Sequence, residues 1–280
     1  MDWKTVLTVL TDGALGDLTL GPAAALARDA GAHLDVLCLG VDHSQQGYFF
    51  TGGDLPVMQM AFGQATEEAT ALAEQARTWL RGRDLRWSVE EGAVQFVQTG
   101  QQVAARARFA DLVVLPKPYG REEARAELEQ VVEGALFDGD APVLVMPDDT
   151  PPVMAPETVL LAWNGAPEAL RAFRSALPVL RRAGKVHVVL IDPPRHGADR
   201  SDPGGLLAQY LARHGCTVEI EVLSRTLNRV SDVLCRHATD IGAGMIVMGA
   251  YGHSRFREAI LGGATRNMLE QAQVPVLMAH

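Results

Sequence analysis

Long apolar runs and cysteines are both scarce in this chain of 280 residues. No run approaches the roughly 18 apolar residues of a membrane-spanning helix, and the first residues, MDWKTVLTVLTDGA, lack the pattern of a signal peptide. The three cysteines, Cys38, Cys216 and Cys235, lie far apart, which is typical of reduced thiols rather than of disulfides or zinc ligands. We therefore expect a cytoplasmic protein without membrane contact.

Positive charge is also in short supply. Lys and Arg number 25 against 34 Asp and Glu, which makes the formal net charge -9. A field of this sign repels phosphate backbones, so we expect no nucleic-acid partner. The eight histidines have no metal-ligand spacing such as HExxH, so we expect no metal ion held by protein ligands alone.

An internal repeat divides the chain. The segment KTVLTVLTDGA begins at Lys4, and ETVLLAWNGAP begins at Glu157, 153 residues later. Towards the end of each half, ADLVVLPKPYG at Ala110 matches AGMIVMGAYGH at Ala243, 133 residues later. The smaller second offset gives the first half about 20 additional residues. We place them in the stretch 42–60, which has no clear period.

Each half reads as five strands alternating with helices. Continuous Val, Ile and Leu runs such as VHVVLI and MIVM favour strands covered on both faces. In the second half, we expect strands near Thr158–Trp163, Val186–Ile191, Thr217–Leu223, Met245–Met248 and Val274–Ala279. The prediction is an α/β protein of two tandem doubly wound domains. Each is an open, mostly parallel five-stranded sheet with helices on both faces.

Proline marks the boundary between the two halves. The stretch 148–156, DDTPPVMAP, holds three prolines, which exclude a central strand or a helix interior. We therefore expect domains at 1–147 and 157–280, joined by this linker.

Glycines cluster between the last two apolar runs, at Gly249, Gly252, Gly262 and Gly263. Ligands of open parallel sheets bind beyond the carboxyl ends of the strands, where the strand order reverses. Glycines there allow backbone N–H groups to approach a phosphate, and a helix that starts at Gly262 or Gly263 would point its positive end at it. The same glycines could instead end a strand, form a turn and precede a helix cap.

The glycine spacing resembles that of a known family. Gly249 and Gly252 are separated by two residues, and Gly252 and Gly262 by nine, as in the universal stress protein family in its tandem two-domain form. The runs TVLLAWNGAPEALRAF, VHVVLIDPP and VPVLMAH are similar to its strands. The resemblance covers most of residues 157–280 and, more faintly, residues 4–147.

The resemblance implies a Rossmann-like nucleotide site with ATP or a related adenine nucleotide, with magnesium at its phosphates. Asn164 would stand near the base and ribose, and Leu190 would contact adenine through its backbone. The remaining implied contacts to ribose and phosphates are Met248, Gly249, Gly252, Gly262, Gly263, Ala264 and Thr265. Two residues depart from the family pattern: Asn164 replaces a carboxylate, and Gly263 replaces a hydroxyl residue.

The first half departs further from the pattern. At the 133-residue offset, Pro116 and Tyr119 match Gly249 and Gly252, and Glu129 and Gln130 match Gly262 and Gly263. Pro116 offers no N–H group, and Glu129 would repel a phosphate. We therefore expect a nucleotide site only in the second half.

Three functions compete at this point. The resemblance favours a cytoplasmic stress-response sensor or regulator that binds a nucleotide. An interaction scaffold that has lost the site is the alternative, motivated by Gly263. An enzyme is the third, but no Walker lysine or metal-holding Asp stands out near the glycines, so we expect no enzyme and leave only slow ATPase activity open. The resemblance also implies that the two halves pair with each other, and it allows a homodimer.

Overall fold

Strands and helices alternate along the first part of the chain. The computed structural model describes residues 2–44, 55–119, 126–148, 150–151, 154–193, 202–250 and 263–280. The first compact unit comprises Trp3–Ala141. Its elements are β1 (Thr5–Leu10), α1 (Gly16–Ala30), β2 (His33–Asp42), α2 (Leu55–Leu80), β3 (Arg86–Gln95), α3 (Thr99–Ala107), β4 (Leu112–Pro116) and α4 (Ala126–Glu133). A π-helical turn at Gly134–Asp138 extends α4.

The four strands of this unit pair in the order β3-β2-β1-β4. All three pairings are parallel, and the first residue of β1, Thr5, stands opposite His33 of β2. Val6 and Leu7 of β1, whose side chains point to opposite faces of the sheet, are 0% and 2% exposed. The continuous apolar run is therefore covered on both faces, as the sequence predicts.

The second unit comprises Pro142–His280 together with Asp2. Its elements are β5 (Val143–Met146), β6 (Thr158–Ala162), α5 (Pro167–Leu180), β7 (Lys185–Ile191), α6 (Gly205–Arg213), β8 (Val218–Leu223), α7 (Val230–Asp240), β9 (Met245–Gly249), α8 (Gly263–Gln271) and β10 (Val276–Ala279). All five strands predicted for the second half are confirmed to within two residues at each end. The doubly wound α/β class is confirmed as well.

Strand β5 falls before residue 147, the end predicted for the first domain. It pairs with β10 in antiparallel register, with Leu144 opposite Leu277, and so belongs to the second unit. The domain bounds predicted from the sequence, 1–147 and 157–280, stay a prediction. In the linker stretch 148–156, the described residues form neither helix nor strand.

The two halves differ most in the helix that follows their second strand. Helix α2 has 26 residues, whereas α6 has 9. Residues 55–60 of the stretch without a clear period form the first turns of α2, and residues 45–54 lie outside the described part of the chain. The extra length of the first half is thus partly helical. In the described ranges, no helix is both long and apolar enough to cross a membrane.

The cysteines give a first testable prediction. Burial raises the pKa of the Cys38 thiol to about 12, and Cys38 is 0% exposed, whereas Cys235 is partly exposed. Because the thiolate is the reacting form, N-ethylmaleimide at pH 8 should label Cys235 and leave Cys38 unmodified in the native protein. Peptide mass spectrometry reads both sites, and denatured protein labelled at both is the control. Labelling of native Cys38 at the rate of Cys235 would contradict the burial of β2.

Candidate functional site

The strand order of the second unit reverses between β6 and β9. The order is β5-β10-β9-β6-β7-β8, so the chain leaves β6 towards β7 on one side and later returns to place β9 on the other. The two strands are parallel neighbours, with Leu160 opposite Ile246. The residues that follow β6 and those at the end of β9 therefore border one crevice at the carboxyl edge, the place where such sheets bind ligands.

Asn164 is the first residue that leaves the sheet at this crevice. The N–H of Trp163 still donates to the carbonyl of Val189 in β7, at 2.9 Å. The Asn164 Oδ1 atom then accepts the N–H of Ala166 at 3.0 Å, which closes a turn before α5. Gly165, inside this turn, has φ +78°, a value that favours glycine. The Asn164 side chain is exposed, so its NH₂ group faces solvent as a donor.

Gly249, the last residue of β9, is held against the start of α5. A Cβ atom built on Gly249 would lie 2.6 Å from the backbone nitrogen of Ala169 and 2.6 Å from Cγ of Glu168. The missing side chain thus lets the first turn of α5 reach the strand end. Gly249 is therefore needed for packing, which agrees with the alternative that this glycine serves to end a strand. The same close approach brings the amino end of α5, with its partial positive charge, to the crevice.

Glu168 is a residue at this crevice that the sequence did not single out. It is only 9% exposed, and its buried Oε1 atom has no hydrogen-bond partner among the residues that the structure describes. A carboxylate in the first turn is stabilised by the positive end of its helix. In the sequence, Glu168 could have been noticed from its position, because it lies four residues after Asn164 and in the first turn of an amphipathic helix.

Leu190 and Met248 lie inside the sheet, just below the crevice. Leu190 is 5% exposed and stands opposite Val222 of β8. Met248 is 8% exposed and stands opposite Met278 of β10. The Leu190 side chain packs beneath the residue that precedes α6, because its Cδ1 atom would lie 3.1 Å from a Cβ atom built on Gly204. Neither side chain is thereby shown to face the crevice.

The segment between β9 and α8 contains most of the glycines. Gly252 and Gly262 lie outside the described residues. Helix α8 begins at Gly263 and includes Ala264. Thr265, in the first turn of this helix, is 2% exposed, so its side chain is inside the fold. The sequence expectation that a helix starts at Gly262 or Gly263 agrees with this position.

The first unit contains a counterpart of the Asn164 turn, whereas Glu129 and Gln130, the counterparts of Gly262 and Gly263, lie within a described helix. Asp12 Oδ1 accepts the N–H of Ala14 at 2.7 Å, the same bond that Asn164 makes. Pro116 ends β4, as Gly249 ends β9. However, α4 begins at Ala126, so Glu129 lies within the helix rather than before it.

In the parts of the chain that are described, no three His, Cys, Asp or Glu side chains are grouped so that they could hold a metal ion.

The second half of the chain is similar in sequence to a known protein family. A profile of the Universal stress protein family matches residues 156–280. A universal stress protein from Synechocystis is 30% identical over 98 residues, a match that covers 32% of this chain and 33% of that protein. The chain thus spans about a third of the length of that relative.

Solved structures show the fold over the whole chain. A universal stress protein from Archaeoglobus fulgidus has a TM-score of 0.69 at 16% identity, with 98% of this chain and 95% of that chain covered. A second structure, from Pseudomonas aeruginosa, has a TM-score of 0.62 at 16% identity and covers 98% of this chain and 92% of its own. The second half of the chain, residues 156–280, thus resembles the universal stress protein family in sequence, and the whole chain shares the fold of these two solved structures.

Proposed function

We propose that the second unit binds an adenine nucleotide, with ATP as the first candidate, and that the protein acts as a stress-response sensor or regulator in the cytoplasm. The observation that supports this proposal most is the crevice between β6 and β9. It combines an exposed amide at Asn164 with a glycine-bearing strand end at Gly249. The helix that follows β9 in the chain, α8, begins at Gly263, and we propose that its amino end faces the same crevice.

The residues present fit such a ligand. Asn164 has its oxygen engaged with Ala166, which leaves its NH₂ group to donate to a ribose or base oxygen. The amino ends of α5 and α8 favour negative charge. Gly252, Gly262, Gly263, Ala264 and Thr265 complete the proposed phosphate contacts, with magnesium as the counter-ion of the phosphates.

Asn164 provides the direct test of the proposed site. Asn164→Ala removes one hydrogen-bonding group and the turn, and we expect ATP affinity to fall about three- to tenfold. Asn164→Asp keeps the turn, because Asp12 makes the same bond in the first unit. A carboxylate would add a charge-assisted bond to a ribose hydroxyl, so we expect binding a few-fold tighter than that of the unchanged chain. Isothermal titration with Mg-ATP measures both.

Asp12→Asn is the matched control, since it changes the corresponding turn of the first unit. It should leave ATP affinity unchanged. Weaker binding on Asp12→Asn together with normal binding on Asn164→Ala would place the nucleotide in the first unit and overturn the proposal. AMP and cAMP in parallel titrations define the nucleotide class.

The proposed role is binding rather than turnover. Incubation of the protein with Mg-ATP and chromatography of the products tests this directly. We expect ATP to be recovered intact over several hours. Formation of ADP that stops on Asn164→Ala would assign an ATPase to the site.

A scaffold function is the second candidate, and the edge of the second sheet favours it. Strand β8 pairs with β7 on one side, and its Val222 is 54% exposed. Leu206 of α6 is 73% exposed. If no nucleotide binds, charged replacement of Val222 should reduce the recovery of partner proteins in a pull-down.

A further inference from the structure

A cavity of about 320 Å³ lies in the first unit between α1 and the end of α2. Its lining is supplied by one face of α1 and by the turn that joins α2 to β3. The lining residues are Gly21, Ala24, Ala25, Arg28, Trp79, Arg83, Asp84 and Leu85. The volume is at the lower end of the range of small-molecule pockets, about 300–1,000 Å³. None of these residues belongs to the proposed nucleotide site.

Small side chains on α1 create the cavity. Gly21, Ala24 and Ala25 follow one another at i, i+3 and i+4, so they share one helix face. A Cβ atom on Gly21 would meet nothing within 4 Å. Large apolar side chains at these positions would fill the space beside Trp79, as helix packing does elsewhere in protein cores.

The aromatic wall of the cavity is held in place from two sides. The indole Nε1–H of Trp79 donates to Asp17 Oδ1 at 2.6 Å. The guanidinium carbon of Arg83 lies 3.5 Å from the centroid of the Trp79 ring. The Nε–H of Arg83 donates to the carbonyl of Trp79 at 2.8 Å. These contacts fix the direction of the Arg83 fork and leave its Nη groups as the donors that can meet a ligand.

The residues that line the cavity carry one more positive than negative charge, and two further carboxylates, Asp17 and Asp29, contact the lining residues Trp79 and Arg28. The whole chain has a net charge of -9, whereas the lining carries two arginines and one aspartate. Arg28 is paired only loosely, with its Nε atom 3.6 Å from Asp29 Oδ1 and with 62% of its side chain exposed. Guanidinium groups bind carboxylate and phosphate oxygens in a bidentate manner.

We propose that this cavity binds a small organic anion. Its carboxylate or phosphate group is held by Arg28 and Arg83, and its planar or apolar part lies against Trp79, Ala24 and Ala25. The lining residues indicate the class of ligand. The two guanidinium groups would bind an oxyanion, and Trp79 together with the small side chains Ala24 and Ala25 would contact a flat apolar group.

Phenyl phosphate and benzoate are suitable probes, titrated into the full chain and followed by saturation-transfer NMR and tryptophan fluorescence. We expect saturable binding of one or both, weakened by salt. Arg28→Gln combined with Arg83→Gln should lower affinity at least tenfold. Arg81→Gln removes an arginine of the same turn that does not line the cavity, and should leave affinity unchanged. Inorganic phosphate and benzyl alcohol separate the contributions of the anion and of the ring.

Ala25→Leu keeps both arginines and fills the cavity, so it tests the site even if the double variant folds poorly. We expect it to abolish probe binding while the melting temperature stays within a few degrees of the unchanged chain. Absence of saturable binding of either probe at 10 mM, or unchanged binding on Ala25→Leu, would overturn the proposal. ATP affinity on Ala25→Leu should remain unchanged, which separates this site from the proposed nucleotide site.

Discussion

Replacement of Gly40 by alanine is expected to cost the first unit about 3 kcal/mol of unfolding free energy. Gly40 lies in β2, and helix α2 crosses directly over it. A Cβ atom on Gly40 would lie 1.7 Å from the carbonyl oxygen of Ala65 and 2.9 Å from the backbone nitrogen of Ala69. Because both atoms belong to the backbone of α2, no rotamer change can relieve the contact, and the whole helix must move away from the sheet.

The close approach depends on small residues on the helix as well. Ala65, Ala69 and Ala73 are 2%, 1% and 0% exposed, and they form the face of α2 that lies on β2. Displacement of α2 would break the contacts along this face. The expected loss of unfolding free energy is therefore at the upper end of the range for methyl groups added to a packed core.

Gly63→Ala is the matched control in the same helix. A Cβ atom there would meet nothing within 4 Å, and alanine has the higher helix propensity, so this change should stabilise by about 0.5–1 kcal/mol. Differential scanning calorimetry measures both variants and resolves the transitions of the two units. A melting temperature of Gly40→Ala equal to that of the unchanged chain would contradict the packing of α2 on β2.

Replacement of Gly249 by alanine is the second change with a large expected effect. The new Cβ atom would lie 2.6 Å from the Ala169 nitrogen and 2.8 Å from the carbonyl carbon of Glu168. We expect a loss of about 2–3 kcal/mol in the absence of any nucleotide, because the first turn of α5 must move. ATP affinity should fall as well, since the same turn borders the proposed site.

This change separates the two roles that the sequence left open for the glycine. If Gly249 serves only to admit a phosphate, Gly249→Ala will weaken ATP binding and leave the nucleotide-free melting temperature unchanged. Calorimetry with and without Mg-ATP distinguishes the two outcomes. An unchanged melting temperature without nucleotide would contradict the packing role.

The sequence predicted the strands well because their signal is local. In the run VHVVLI, the side chains of Val188 and Val189 point to opposite faces of β7 and are 0% and 1% exposed. A continuous apolar run predicts burial on both faces without knowledge of the neighbouring strands. The doubly wound class implies that ligands bind where the strand order reverses, and in the second unit β6 and β9 are neighbours at that point. This edge of the sheet could therefore be predicted from the sequence.

The tertiary contacts that require particular residues could not be predicted from the sequence. Gly40 and Gly249 are required by the approach of helices that are distant in the chain or beyond a turn, and spacing alone does not report such distances. The unpartnered oxygen of Glu168 also depends on tertiary packing. The cavity beside Trp79 follows from small residues on α1 facing a turn more than 50 positions later, so no local pattern indicates it.

The central claim is that a nucleotide binds at the carboxyl edge of the second unit. Native mass spectrometry of the freshly purified full chain, with and without added Mg-ATP, tests it most directly when run beside Asn164→Ala and Asp12→Asn. The account predicts one nucleotide per chain, retained on Asp12→Asn and reduced on Asn164→Ala. A chain that holds no nucleotide under any of these conditions, or one whose nucleotide is lost only on Asp12→Asn, would contradict it.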